Sequence, residues 1–141
     1  MHELAKKTLK KIKWLDAHID GLLNDLQREE ARAAKVTATI SPVVVAHSGN
    51  QNNLEDSALK IIALKDEINH KINRFVDLKR EIESIIEKIQ DADQVAVLRK
   101  RYVEYKPWEL IALEVGCKYR NVHYIHSDAL KAFEALMEGA V

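Results

Sequence analysis

Cysteine, proline and glycine are almost missing from this chain of 141 residues, which holds one, two and four of them. The lone Cys117 excludes an internal disulfide framework and any zinc module built on cysteine ligands. So little glycine and proline excludes a sheet with many tight turns, and with 47% apolar residues the composition is not that of a disordered chain. Long hydrophobic runs are absent too. No segment spans a membrane, and none follows Lys6, Lys7, Lys10, Lys11 and Lys13 as the core of a signal peptide would. An excess of either charge is also missing, since 22 Lys and Arg balance 22 Asp and Glu. That balance removes the easiest argument for a polyanionic partner but leaves room for a local basic patch. No glycine-rich phosphate loop, nucleophile–base pair or metal-spaced acidic cluster occurs, so neither an enzyme nor a cofactor is expected. The plain expectation is a cytoplasmic protein with no membrane partner, built as one domain or as a small domain on an extended element.

What the sequence does contain is helical periodicity. From His2 to about Ala34, Ile12, Leu15, Ile19, Leu22 and Leu26 recur at steps of three and four, with Leu9 and Leu23 widening the stripe. The early lysines and the later Asp16, Asp20, Asp25, Glu29 and Glu30 read as solvated faces, in an order opposed to the helix dipole. Val36 to Asn53 breaks the pattern with β-branched residues, Ser41-Pro42 and a polar cluster, which suits a loop or a short extended excursion.

A second helix is expected from Asn52, which is spaced from Glu55 as in a capping box. Its stripe is Leu54, Ala58, Ile61, Ile68, Ile72, Phe75, Ile82, Ile86 and Ile89, a heptad seam interrupted by Lys65 and Lys79. These lysines either set register or reach out to solvent. A rod of roughly 55 Å cannot hide such a stripe alone, so the first helix folds back on it, a second chain covers it, or both. Ile62, Val76, Leu78 and Ile85 broaden the apolar surface beyond one antiparallel partner. That favours a homodimer or higher homo-oligomer, with Ile61, Ile68, Ile72, Phe75, Ile82, Ile86 and Ile89 as its contacts.

Asp91 and Gln94 form another capping-box spacing, so a break is expected there, dividing the chain into 1–91 and 92–141. Val95, Leu98 and Tyr102 share a face of the next helix, flanked by Arg99, Lys100 and Arg101. Pro107 suits the first position of a further helix whose apolar side is Trp108, Ile111, Ala112 and Val115, and Gly116 ends it. The last helix, from about Lys118, presents Val122, Ile125, Ala129, Leu130 and Phe133 on one side. Two short helices joined through a glycine, with a small residue at the crossing, meet the requirements of a helix-turn-helix. The fold expected is all-α: a long helical hairpin or coiled coil followed by a C-terminal helix-turn-helix.

The stretch "WELIALEVGCKYRNVHYIHSDALKAF" resembles the helix-turn-helix of sigma-factor region four in Glu109, Ile111, Val115, Gly116, Val122, Ile125, Ala129 and Leu130, in register and without gaps. With "VLRKRYVEYKPW" before it and a helical N-terminal region, the layout is similar to phage late-gene transcriptional regulators of the RinA and ArpU type. This resemblance implies a regulator that binds double-stranded DNA in a bacterial host cell, possible contact with RNA polymerase included. Lys118 stands where sigma domains place a capping Ser or Thr, and Tyr119, Arg120, Asn121, His123 and Tyr124 replace their arginines and glutamine. A different base sequence, or weaker binding per module, would follow.

Tyr119, Arg120, Asn121, His123, Tyr124 and Ser127 are therefore the expected base-facing residues, since arginine pairs with guanine and asparagine with adenine through two hydrogen bonds each. Arg99, Lys100, Arg101, Lys106 and Lys118 are the expected phosphate contacts. The bland reading of both sets is an ordinary solvated surface. His123 and His126 are spaced for zinc, but no further ligands accompany them and no metal is expected. Cys117 is expected to pack in the turn, and Trp14 and Trp108 to anchor a core or an interface. A terminase-like DNA-packaging subunit, or a polymerase-gripping module that never reads DNA, are the competing functions.

Overall fold

In a computed structural model of the chain, residues 2–39 and 48–139 are described. Among them all regular structure is helical, as expected, and no strand occurs. The elements are α1 (Glu3–Thr39), α2 (Ser48–Glu87), α3 (Ala92–Leu98), α4 (Trp108–Val115) and α5 (Tyr119–Gly139), with a π-helical segment, Arg99–Val103, between α3 and α4. None of the described helices is long and apolar enough to cross a membrane. The chain forms two compact units: Met1–Asp16 with Phe75–Val141, and Ala17–Arg74. Both long helices contribute to both units, so the division expected at residue 91 marks the start of α3 rather than a boundary between compact bodies.

The first unit packs five helical pieces on one apolar core. Ala5, Leu9 and Ile12 of α1 meet Ile82, Ile86 and Ile89 near the end of α2, together with Leu98, Tyr102, Ala129, Leu130 and Phe133. The steps of three and four within each helix bring these residues onto one face, so burial follows from the periodicity. A smaller cluster of Val97, Ile111, Ala112 and Val122, flanked by Trp108, Val115, Cys117 and Ile125, ties α3, α4 and α5 together. Cys117 accordingly packs in the turn, and Trp108 is an anchor. Asp91 caps α3, its side chain accepting from the Gln94 N–H at 3.0 Å, as the capping-box spacing anticipated.

The second unit is the remainder of the two long helices. Its fully hidden apolar residues are Ile19 and Ile68, while Leu22, Leu26, Ile61 and Leu64 are half-buried. Leu23, Leu59, Ile62 and Ile72 are exposed.

Several expectations are corrected here. Val36–Thr39 continue α1 and Ser48–Asn53 belong to α2, so the interruption expected over 36–53 is helical at both ends, and its centre, 40–47, lies outside the described residues. Asn52 is inside α2 rather than at its start. Pro107 is the N-cap of α4, with extended backbone at φ −71° and ψ 155°, so the helix begins one residue later than expected. Trp14 is no core anchor: it is 59% exposed on the outer face of α1. Ile82, Ile86 and Ile89, expected at an interface between chains, are covered by this chain's own α1 and α5.

Candidate functional site

The glycine in "EVGCK" sets the geometry of the turn. Gly116 sits in the left-handed region at φ 81°, which lets its N–H and that of Cys117 both reach the Ala112 carbonyl, at 3.0 and 2.9 Å. The chain reverses in three residues, and α5 begins at Tyr119 with the Lys118 carbonyl accepting from Asn121 and Val122. Val122, His126, Ala129, Leu130 and Phe133 bury one face of α5. The opposite face of its first turns is therefore turned to solvent by a helix that cannot rotate.

All six expected base-facing residues, Tyr119, Arg120, Asn121, His123, Tyr124 and Ser127, are exposed; Arg120, Asn121, Tyr124 and Ser127 point away from the buried face, and Tyr119 and His123 flank it. His123 is less free than its exposure suggests. Its ring stands edge-on to Tyr119 at 4.8 Å and packs against Trp108 at 5.0 Å, so it is held in place by aromatic contact. Arg120, Asn121, Tyr124 and Ser127 make no side-chain hydrogen bond or ion pair among the described residues, which leaves their polar groups available to a partner.

The five expected phosphate contacts divide differently. Lys100 and Lys106 both bind Glu114, at 2.8 and 2.9 Å, and Lys106 also reaches Glu104 at 3.0 Å. The hydrogen bond to Glu114, then that to Glu104, raises the Lys106 pKa, while Lys100 and then Lys106 lower that of Glu114. Arg101 stacks over Trp108 at 4.5 Å and donates to the Lys106 carbonyl at 3.1 Å. Arg99 lies 3.9 Å from Glu83. Lys118 is exposed and enters no ion pair among the described residues. Three of the five cations, Lys100, Arg101 and Lys106, thus brace α4 and its entry, while Arg99 of the π-helical segment reaches α2.

Beneath the exposed face of α5 lies a buried polar pair, Tyr102 and His126, that the residue pattern alone did not bring together. Tyr102 Oη and His126 Nε2 are 2.6 Å apart, a hydrogen bond in which the hydroxyl donates when the ring carries its proton on Nδ1. The rings stack at 5.7 Å, and Trp108 meets His126 edge-on at 4.6 Å. Burial, helped by the charges of Lys6, His123, Arg101 and Lys10, pushes His126 down to about 4. Burial also pushes the Tyr102 hydroxyl up to about 12, against the opposing pull of Arg101. Both groups are neutral near pH 7, so the pair works as packing that fixes α5 to the π-helical segment. The signal was available: His126 follows Val122 by four and precedes Leu130 by four, on the core face of the same helix. No three His, Cys, Asp or Glu side chains among the described residues are placed to hold a metal ion.

The family model described as "Protein of unknown function (DUF1492)" matches residues 35–134, a span that takes in α2, α3, α4 and most of α5. No curated protein and no solved structure matches the chain.

Proposed function

We propose that this chain, which belongs to the DUF1492 family by the match over residues 35–134, is a sequence-specific DNA-binding protein that inserts the start of α5 into the major groove. The observation that carries the reading is the exposed row Arg120, Asn121, Tyr124 and Ser127 on a helix whose other face is locked by two apolar clusters. Arg120 has the donors to bond guanine through O6 and N7, and Asn121 can do the same to adenine through N6 and N7. His123, clamped between Trp108 and Tyr119, offers a ring nitrogen at a fixed position. The sigma-like pattern of the same stretch extends the proposal to transcriptional control of phage or prophage genes, late genes first, with RNA polymerase as a further partner. Self-association through the apolar face of Leu59, Ile62 and Ile72 would bring two reading helices to one duplex, and avidity would offset modest binding by each.

Selection of binding sites from random duplex DNA tests this directly. The wild-type chain should enrich one motif. An Arg120→Ala, Asn121→Ala variant, which leaves the packed His123 ring alone, should relax discrimination at one or two base pairs by about 1–3 kcal/mol each. Polymerase capture by a chain that enriches no motif would overturn the base-reading role in favour of a polymerase-gripping module. A closed ring of subunits with no motif would point to DNA packaging.

A further inference from the structure

The module around α5 is a poor partner for a polyanion on its own. Residues 75–141 hold ten Lys and Arg against twelve Asp and Glu, a net charge of −2. Four of its cations near α4 are committed to protein contacts. The first sixteen residues, part of the same compact unit, reverse the sign: five lysines stand against Glu3 and Asp16, a net of +3.

Those lysines are not evenly spread around α1. Lys6, Lys10 and Lys13 follow the i, i+4, i+7 spacing and form one strip beside the buried Ala5, Leu9 and Ile12. Lys7 and Lys11 lie on the next strip, and together with Lys6 and Lys10 they surround the exposed Trp14 and Leu4. Two contacts and one longer-range charge interaction place the first strip beside the reading module. The ammonium of Lys13 stands 5.9 Å from the centre of the Tyr105 ring. The positive charges of Lys6 and Lys10 contribute to holding His126, two turns into α5, in its neutral form. His2, one turn before Lys6, bonds Glu134 of α5 at 3.0 Å and fixes the start of α1 along that helix. None of the three lysines makes an ion pair among the described residues.

We propose that Lys6, Lys10 and Lys13 are a second contact surface of this unit, for the backbone phosphates of duplex DNA beside the groove that α5 enters. The inference rests on the DNA-reading proposal and names where its electrostatic affinity comes from. Charge complementarity selects the occupant. The strip extends about 10 Å along the helix axis, and phosphates on one DNA strand advance about 3.4 Å each, so three ammonium groups match about three phosphates. Membership of the same compact unit as α5 favours DNA over an acidic protein. Contacts of this kind position the reading helix without contributing sequence information.

The test is the salt dependence of binding by the full chain, measured by anisotropy on the duplex recovered in the site selection and on a scrambled duplex. A Lys6→Gln, Lys10→Gln, Lys13→Gln variant should bind both duplexes more weakly, on the order of 10- to 100-fold at low salt, with the slope of log affinity on log salt reduced by about 2.7. Its recovered motif should not change. A Lys7→Gln, Lys11→Gln variant should lose much less per charge removed. Circular dichroism checks that each variant is folded. Equal loss per lysine in the two variants would reduce the strip to diffuse charge, and an unchanged slope in the triple variant would remove it from the interface. Both results leave the reading helix intact if the Arg120→Ala, Asn121→Ala variant still relaxes discrimination at one or two base pairs. Failure of the wild-type chain to bind any duplex would instead overturn the DNA reading and this inference with it.

Discussion

The two compact units are built from the same long helices by different rules. In Met1–Asp16 with Phe75–Val141, short helices close over the long ones, and Leu9, Ile12, Ile82, Ile86 and Phe133 lose essentially all contact with water. Its buried polar pair, Tyr102 and His126, is mutually hydrogen-bonded. In Ala17–Arg74 the stripes are no less regular, yet Leu59 and Ile62 remain about two-thirds exposed, at 66% and 64%, and Glu29 Oε2 is buried without a hydrogen-bond partner among the described residues. Two helices offer each other one strip of contact, whereas a helix surrounded by several others can hide a wide stripe. Stability is therefore expected to concentrate in the unit that holds α5. The other unit is left with exposed apolar surface.

The comparison can be broken most severely at Phe133. Phe133→Ala removes a fully buried ring where α5 meets α1 and α2, and should cost about 3–5 kcal/mol in a denaturant melt. A loss below 1 kcal/mol would mean that the core of this unit is not where its stability lies.

A smaller effect comes from acid. The His126 pKa is depressed in the folded state to about 4 from an ordinary 6.5. An unfolded chain therefore takes up the proton first as pH falls. The contribution of the neutral ring is complete above about 6.5, declines through the window below it, and is gone near 4, a loss on the order of 2 kcal/mol after allowing for partial solvent access. Melts across that range, compared with those of His126→Gln, isolate it; parallel curves for the two proteins would contradict a buried neutral histidine.

Next in size are the turn and the cap. Gly116→Ala places a side chain at φ 81° with nothing within 4 Å to clash, so the cost is backbone strain alone, about 1–2 kcal/mol. Asp91→Ala removes the N-cap of α3 and should cost about 1 kcal/mol. Both are read as shifts in the thermal midpoint, and Gly116→Asn, which tolerates the left-handed region better, should recover part of the first.

The least effect on folding is expected in the other unit. Leu59→Glu with Ile62→Glu should change the stability of the isolated chain by no more than about 0.5 kcal/mol, since both side chains already face water. Their consequence should appear in mass: light scattering should show a fall toward that of a single chain. An unchanged mass would remove this face from any assembly. These positions are better probes than Ile82, Ile86 or Ile89, where a charge would destroy the core before it tested an interface.

Much of the architecture was legible in residues close together along the chain. The stripe from Leu9 to Ile19, the cap at Asp91 and the turn at Gly116 each depend on spacings of three or four, or on one backbone angle, and these are local properties of a helix. The exposed row from Tyr119 to Ser127 followed for the same reason: once Val122, Ala129 and Phe133 are assigned to the inside, the helix leaves that row outside. The extent of α1 and α2 was harder to read, because β-branched and polar residues at 36–39 and 48–53 argue locally for an interruption while the helices continue through them.

Sequence by itself determined which residues form stripes, where the last two helices turn, and which side chains of α5 are turned outward. Only the tertiary structure decided what covers each stripe: α5 and the first turns of α1 over Ile82 and Ile86, and, among the described residues, no comparable layer over Leu59 and Ile62. It also decided that Lys100 and Lys106 are held by Glu114, and that His126 is a packed partner of Tyr102. The physical reason is that a helix period fixes the direction of a side chain relative to its own axis, whereas burial and pairing depend on which other axis arrives there. That arrival is governed by contacts between residues far apart in the chain, as the His2–Glu134 bond and the shared core of Leu9 and Phe133 illustrate.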